Sequence, residues 1–513
     1  MRHLTRVLLF VLIACCAAAA QEKEAAKAAP AKPESAAKPE SETAVKPEPA
    51  PIVRPHEITI LGQTLHYKTT AGRMPIRNAT GETEAQMFYT AYTLDGVTDP
   101  ARRRLVFAFN GGPGSSAVWL QMGAIGPLRV QLNDDGSLPA PPYHMVPNEG
   151  TWLDQADLVF IDPVGTGYSR ATKPDLNKKF FSLRGDIASV GEFIRMYLTR
   201  NNRWLSPLFL AGESYGTTRS AGLSGYLVEQ GIALNGICLI STVLNFGTLE
   251  FDHFNDLAYE LILPSYTATA WYHKRLSADL QKDFKAALKE SESYAADGYP
   301  KALQAGDRLS AAERQAAIAK LARLTGLSPA FIDRAELRVD LERFQRELLR
   351  DRNVVVGRLD SRLTGPGERA VSLEPEFDPA MTTIRPPYTA AWYHYVRTEL
   401  GYESDDDYYI LGGGVKGWDF ASDNRYADVT DSLRQAFEKN PYMKLYVGAG
   451  HFDMATPYFA AWYTLDHMAL PAAAQANIRR HEYESGHMYY IHLDSLRAMK
   501  RDVASFLQWA APQ

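Results

Sequence analysis

Three short apolar runs, each closing on a glycine-bearing turn, limit the fold of this chain more than any other feature. They are "RLVFAFNGG" at 104–112, "DLVFIDPVGTG" at 157–167 and "PLFLAGES" at 207–214. Runs that are apolar on successive positions predict strands covered on both faces rather than on one. The stretch "LRGDIASVGEFIRMYLTR" between the second and third has helical spacing, and strand–helix–strand alternation builds a parallel sheet. Ahead of these, "HEITILGQTLHYKTTAGRMPI" and "EAQMFYTAYTLDG" alternate apolar and polar residues and read as antiparallel strands joined by turns. The α/β pattern returns near residue 427 with the helix "VTDSLRQAFEK", the strands "KLYVGAG" and "NIRRHEYESG", and the helix "LDSLRAMKRDVASFLQWA". The expectation is an α/β domain with a central, mostly parallel sheet, formed by residues 56–246 and 426–513. Residues 247–425, rich in charged helical segments, are expected to form a helical cap inserted over it.

The segment before residue 56 reads differently. Arg2 and Arg6, then "VLLFVLIA", then small residues have the layout of an export signal; its apolar core is too short to span a bilayer, which takes about 20 residues. Two processing sites compete: cleavage after Ala20, or a lipoprotein-type box "LIAC" with Cys15 as an acylated membrane tether. Residues 21–55 are almost entirely Ala, Lys, Pro, Glu and Ser and read as a disordered linker. Past Cys15 and Cys16 only Cys238 remains, so no intrachain disulfide can form in the mature body, and its apolar run predicts a buried thiol. With a formal charge of −5, the chain carries no electrostatic footprint for nucleic acid. The expected protein is exported, periplasmic or secreted; its oligomeric state is left open.

Gly212-Glu213-Ser214-Tyr215-Gly216 sets a serine between two glycines, after a strand and before a helix. A sharp turn of that kind needs small neighbours so that the serine can hold a strained conformation with its oxygen exposed. A serine hydroxyl is a weak nucleophile until a base removes its proton. "KLYVGAGHFDMATP" places Asp453 just past one later strand, and "HEYESGHMYY" places His487 just past the next. Both can reach the sheet edge that holds Ser214. His481 falls inside a strand and His492 begins a helix; Asp431 and Asp494 read as cap or surface residues. His451 and Asp453 find no third ligand at metal-site spacing, and no cofactor is called for. The paired glycines of "FNGGPGSS" at 109–116 leave backbone N–H groups able to approach a developing negative charge, and the loop lacks the Lys-Ser/Thr of a P-loop.

Taken together, "NGGPGSS", "DPVGTGYS", "GESYG" and "SGHM", in that order, resemble the serine carboxypeptidases (peptidase family S10), as a bacterial-type member. The resemblance implies an α/β-hydrolase fold and hydrolysis of C-terminal peptide bonds through an acyl-enzyme. It makes Ser214 the nucleophile, His487 the base and Asp453 its orienting acid, with the N–H groups of Gly112 and Tyr215 as the oxyanion hole. Asn110, Gly111 and Glu213 would bind the substrate carboxylate. Two positions depart from the family's pattern: Ala108 stands where a tryptophan is usual, and Ala124 where a second glutamate would pair with Glu213. These departures keep open a second reading, a serine esterase or acyltransferase on the same triad. The expected partner is a peptide or a small acyl substrate.

Overall fold

The computed structural model describes residues 50–512. Its central sheet holds β1 (Ile52–Ile60), β2 (Gln63–Arg77), β3 (Thr83–Leu94), β4 (Arg104–Phe109), β5 (Ala156–Ile161), β6 (Leu208–Ser214), β7 (Gly236–Thr242), β8 (Lys444–Gly450) and β9 (Ile478–Tyr483), in the order β1-β2-β3-β5-β4-β6-β7-β8-β9; a short strand, Arg170–Ala171, adds to β3. β1, β2, β3 and β5 pair antiparallel. From β5 through β9 every pairing is parallel.

The continuous apolar runs are explained by what covers them. In β4, Val106 and Ala108 enter one core while Leu105, Phe107 and Phe109 enter the other, and β6 and β7 split in the same way. Side chains that alternate across a strand can all be apolar only when both faces are covered. One face is covered by helices α1 (Leu183–Arg200) and α2 (Tyr215–Glu229), which contribute Val190, Phe193, Leu223 and Leu227. The long segment between β7 and β8 begins its main helical part with α3 (Leu257–Tyr272) and ends it with α4 (Pro379–Thr398). The opposite face of the sheet is covered by α4 and by the closing helix α5 (Leu493–Ala510), through Tyr388, Trp392, Val503 and Phe506.

That arrangement corrects the expected cap over 247–425. A third core, made by Tyr259, Ile262, Tyr266, Leu321, Phe344 and Val356, belongs to the insertion apart from Met454 and the partly buried Phe459 at its edge. The helix α4 lies outside it: Tyr388, Trp392, Tyr395 and Val396 form a stripe at helical spacing that packs on the sheet. Trp392 is fully buried, and truncating such a side chain costs about 3–5 kcal/mol, so α4 is part of the main body. The insertion also holds a two-stranded hairpin, Val354–Val356 with Thr364–Pro366, and residues 399–429 form no helix.

The linker boundary at residue 55 also needs correction, because residues 52–55 already pair in β1. Both proposed processing sites, Ala20 and Cys15, and the linker up to residue 49 lie outside the described residues. Cys238 is a buried free thiol on β7. Among the described residues no helix is long and apolar enough to cross a membrane.

Candidate active site

Ser214 ends β6 at the point where α2 begins, with φ 59° and ψ −130°. A non-glycine residue held there is strained, and the surrounding close packing over-determines it. A Cβ on Gly212 would lie 2.1 Å from the Gly216 carbonyl oxygen, so the first glycine of the motif is required for the turn to close. The glycine loop after β4 comes equally near: a Cβ on Gly111 would sit 2.4 Å from the Tyr215 nitrogen. Tyr215 is the first residue of α2, where N–H groups have no partner within the helix. Gly112, Ser214 and Tyr215 thus border one cavity.

Asp453 and His487 reach the same rim from the loops after β8 and β9. Asp453 is fully buried; its Oδ1 accepts from the backbone N–H of Ala455 at 2.8 Å and of Thr456 at 2.9 Å. Its Oδ2 accepts from Thr456 Oγ1 at 2.7 Å and lies 2.8 Å from His487 Nδ1. That pairing places the imidazole proton on Nδ1 and leaves Nε2 as the acceptor. Burial works to lower the His487 pKa, but the Asp453 charge and hydrogen bond, with Glu213, outweigh it and the net shift is upward. The backbone of His487 is anchored as well: its N–H donates to the Leu359 carbonyl at 2.6 Å, and its carbonyl accepts from Ser241 Oγ at 2.5 Å. Ser214 and His487 line a common cavity, and no hydrogen bond within 3.5 Å joins them. Contacts of this kind tighten when substrate is in place.

Two cavities flank Ser214. The first, of about 290 Å³, is lined by Asn110, Gly111, Glu213, Arg358, Asp378 and His487 among others. Glu213 is buried, and desolvation pushes its carboxyl up to about 7, against the stabilising pull of His487 and of Tyr490, whose hydroxyl donates to Oε2 at 2.5 Å. Asn110 is held from both sides: Oδ1 accepts from the Leu120 N–H at 3.0 Å, and its carbonyl accepts from the buried Arg219, itself paired with Asp186 at 2.8 Å. Asn110 Nδ2 is buried without a hydrogen bond of full geometry, but it faces the Glu213 carboxyl and helps to hold its charge. A buried amide donor beside a carboxyl of raised pKa is a polar site prepared for an acceptor. The second cavity, of about 340 Å³, is bordered by Val243, Phe246, Glu250, Ile262, Glu342 and Met454.

The structure therefore brings Ser214, Asp453, His487, Gly112, Tyr215, Asn110, Gly111 and Glu213 to one rim. His451 instead pairs with Glu482 at 3.1 Å, and Asp494 is exposed in the first turn of α5. The "DPVGTGYS" segment is structural: Asp162 Oδ1 accepts from the Ala117 N–H at 2.9 Å and from Tyr408 Oη at 3.3 Å, tying the glycine loop to the end of β5. Sequence reasoning missed Thr456 and Tyr490. Both lie within three residues of a triad member, which is the only signal that pointed to them.

The sequence profile of the serine carboxypeptidases (Peptidase_S10) matches residues 60–500. Among curated proteins the chain is similar to serine carboxypeptidase-like 16 of Arabidopsis thaliana, 31% identical over 176 residues that make up 33% of this chain and 38% of that protein. It is also similar to the pheromone-processing carboxypeptidase KEX1 of Saccharomyces cerevisiae, 32% identical over 162 residues, covering 28% of this chain and 20% of that protein. The matched stretches thus span well under two thirds of these relatives. Among solved structures it is similar to a prohormone-processing carboxypeptidase from Saccharomyces cerevisiae, KEX1(ΔP), with a TM-score of 0.52 and 15% identity over 85% of this chain and 91% of that one. That likeness shows the α/β-hydrolase fold.

Proposed function

Because the chain belongs to the serine carboxypeptidase family, we propose that it is a serine-type carboxypeptidase, releasing C-terminal residues through an acyl-enzyme. One observation carries this reading: the hydrogen-bonded Asp453–His487 pair meets the strained Ser214 at a cavity that also holds Glu213 with the buried Asn110 amide beside it. Ser214 Oγ attacks the scissile carbonyl while His487 Nε2 takes its proton and then passes it to the leaving amine. Asp453 keeps the imidazole oriented and offsets its charge. The N–H groups of Gly112 and Tyr215 stabilise the oxyanion. In its neutral form Glu213 donates to the substrate carboxylate, beside Asn110 Nδ2. Water then releases the acyl group by the same proton route in reverse.

The test compares an N-blocked dipeptide with its C-terminally amidated twin, alongside fluorophosphonate labelling of the wild type and Ser214→Ala. The reading requires labelling that depends on Ser214 and a clear preference for the free acid. Equal rates on acid and amide would instead support a serine esterase or acyltransferase, the second reading. That reading is favoured by Ala124, a fully buried apolar residue where the family's second glutamate would share a proton with Glu213.

The chain is further proposed to be an exported, bacterial-type member, on the strength of its charged-then-apolar start and its lack of cysteine pairs. Lipidation at Cys15, the alternative to cleavage after Ala20, is tested by the mass of the mature N-terminal peptide.

A further inference from the structure

Arg358 stands in the loop that joins the two strands of the insertion's hairpin, and its backbone is joined to both loops of the acid–base pair. Its carbonyl accepts from the Met454 N–H at 3.1 Å, and the next carbonyl, that of Leu359, accepts from the His487 N–H. Its own N–H donates to Asp378 Oδ1 at 3.0 Å. The main chain is therefore fixed beside the triad while the side chain is exposed and borders both cavities around Ser214. Among the described residues no carboxylate lies within 4.0 Å of its guanidinium. Arg362, four residues on, shows the contrast, being paired with Asp360 at 2.6 Å and bonded to Ser485.

The carboxylates that face Arg358 are Glu213 and Asp378 in one cavity and Glu250 and Glu342 in the other. Asp378 is already engaged by the backbone N–H groups of Arg358, Leu359 and Ala380. Glu213 is engaged by Tyr490. The cavity that holds Asn110 Nδ2 thus contains a cation with no internal anion to satisfy, in a chain where Ala124 leaves Glu213 without a second carboxyl. The charge of Arg358 also opposes the upward shift of His487, as expected of a cation close to the catalytic base.

We infer that Arg358 binds the C-terminal carboxylate of the substrate, supplying from the insertion the charge that the glycine-loop side lacks. This rests on the carboxypeptidase reading and adds a specificity residue to it. A guanidinium forms paired hydrogen bonds with a carboxylate and stays charged at every working pH, unlike Glu213.

The test measures kcat and KM for an N-blocked dipeptide acid and its amide twin with wild type, Arg358→Gln and Arg358→Lys. Loss of a charge-assisted contact should raise KM for the acid by about 10- to 100-fold with kcat little changed, leave the amide unaffected, and be partly restored by lysine. A wild type that prefers the acid and an Arg358→Gln variant that keeps the whole preference would overturn the assignment while leaving the carboxypeptidase reading intact. Equal wild-type rates on acid and amide would remove both. An effect confined to substrates with Asp or Glu on the acyl side would place Arg358 in the other cavity and overturn the proposal. An equal loss on acid and amide with a lowered Tm would assign it a structural role and do the same.

Discussion

The two cavities beside Ser214 differ in how their polar groups are held. On the side proposed for the leaving group the polar groups are buried and held: Glu213 by Tyr490, and Asn110 by Leu120 and Arg219. On the side proposed for the acyl group Glu250 and Glu342 are exposed, yet partial desolvation of the carboxyl, with Asp252 and Glu342, still raises the Glu250 pKa. Fixed, desolvated groups suit a feature common to every substrate, such as a chain terminus. Exposed charges on a wall built largely by the insertion suit a feature that varies, such as a side chain. The difference separates reaction type from preference within a single site.

Ser214, the proposed nucleophile, borders both cavities, so its removal should have the largest effect. Ser214→Ala should lower kcat by about 10⁶-fold and end fluorophosphonate labelling, while a free amino acid still binds the leaving-group side, measured by calorimetry. Asp453→Asn comes next: with the imidazole proton misplaced, kcat should fall by about 10⁴-fold, with KM for acid and amide substrates moving little. The third affects only one cavity. Glu213 is neutral below its raised pKa and ionised above it, so its hydrogen bond to a substrate carboxylate is lost, and replaced by repulsion, as pH rises through about 7. KM for the acid substrate should therefore climb about 10-fold per unit above that point. Glu213→Gln should flatten the rise, and the amide twin should show none. The smallest effect lies opposite. Glu250→Gln or Glu342→Gln should reduce a preference for Lys or Arg on the acyl side by only a few-fold, and added salt should mimic it, because exposed charges are screened. A salt-insensitive loss on the acyl side would break the contrast between the cavities.

Much of the frame was readable because local and global signals agreed. The runs at 104–112, 157–167 and 207–214 are apolar throughout since both sheet faces are covered, and each ends on a loop that serves the rim. Asp453 and His487 could be picked out because each follows a strand of the sheet edge that holds Ser214. The role of α4 could not. Its Tyr388–Trp392–Tyr395 stripe has the same spacing whether it packs on a cap or on a sheet, and Pro386 and Pro387 weaken its helical signature. Tyr490 and Arg358 were equally hidden: nothing local shows that a tyrosine three residues past the base turns toward Glu213, or that a hairpin 129 residues before His487 delivers an arginine to the same space.

The seam at residues 358–361 has a practical consequence for anyone exchanging insertions between relatives. Arg358 and Leu359 accept from the acid and base loops, and the Ser361 N–H donates to the Phe452 carbonyl at 3.0 Å. Those few main-chain links splice the inserted segment onto the catalytic loops whatever the intervening helices do. A graft that carries new helices but preserves the splice should alter selectivity alone; one that cuts it should release the imidazole and silence the enzyme on every substrate.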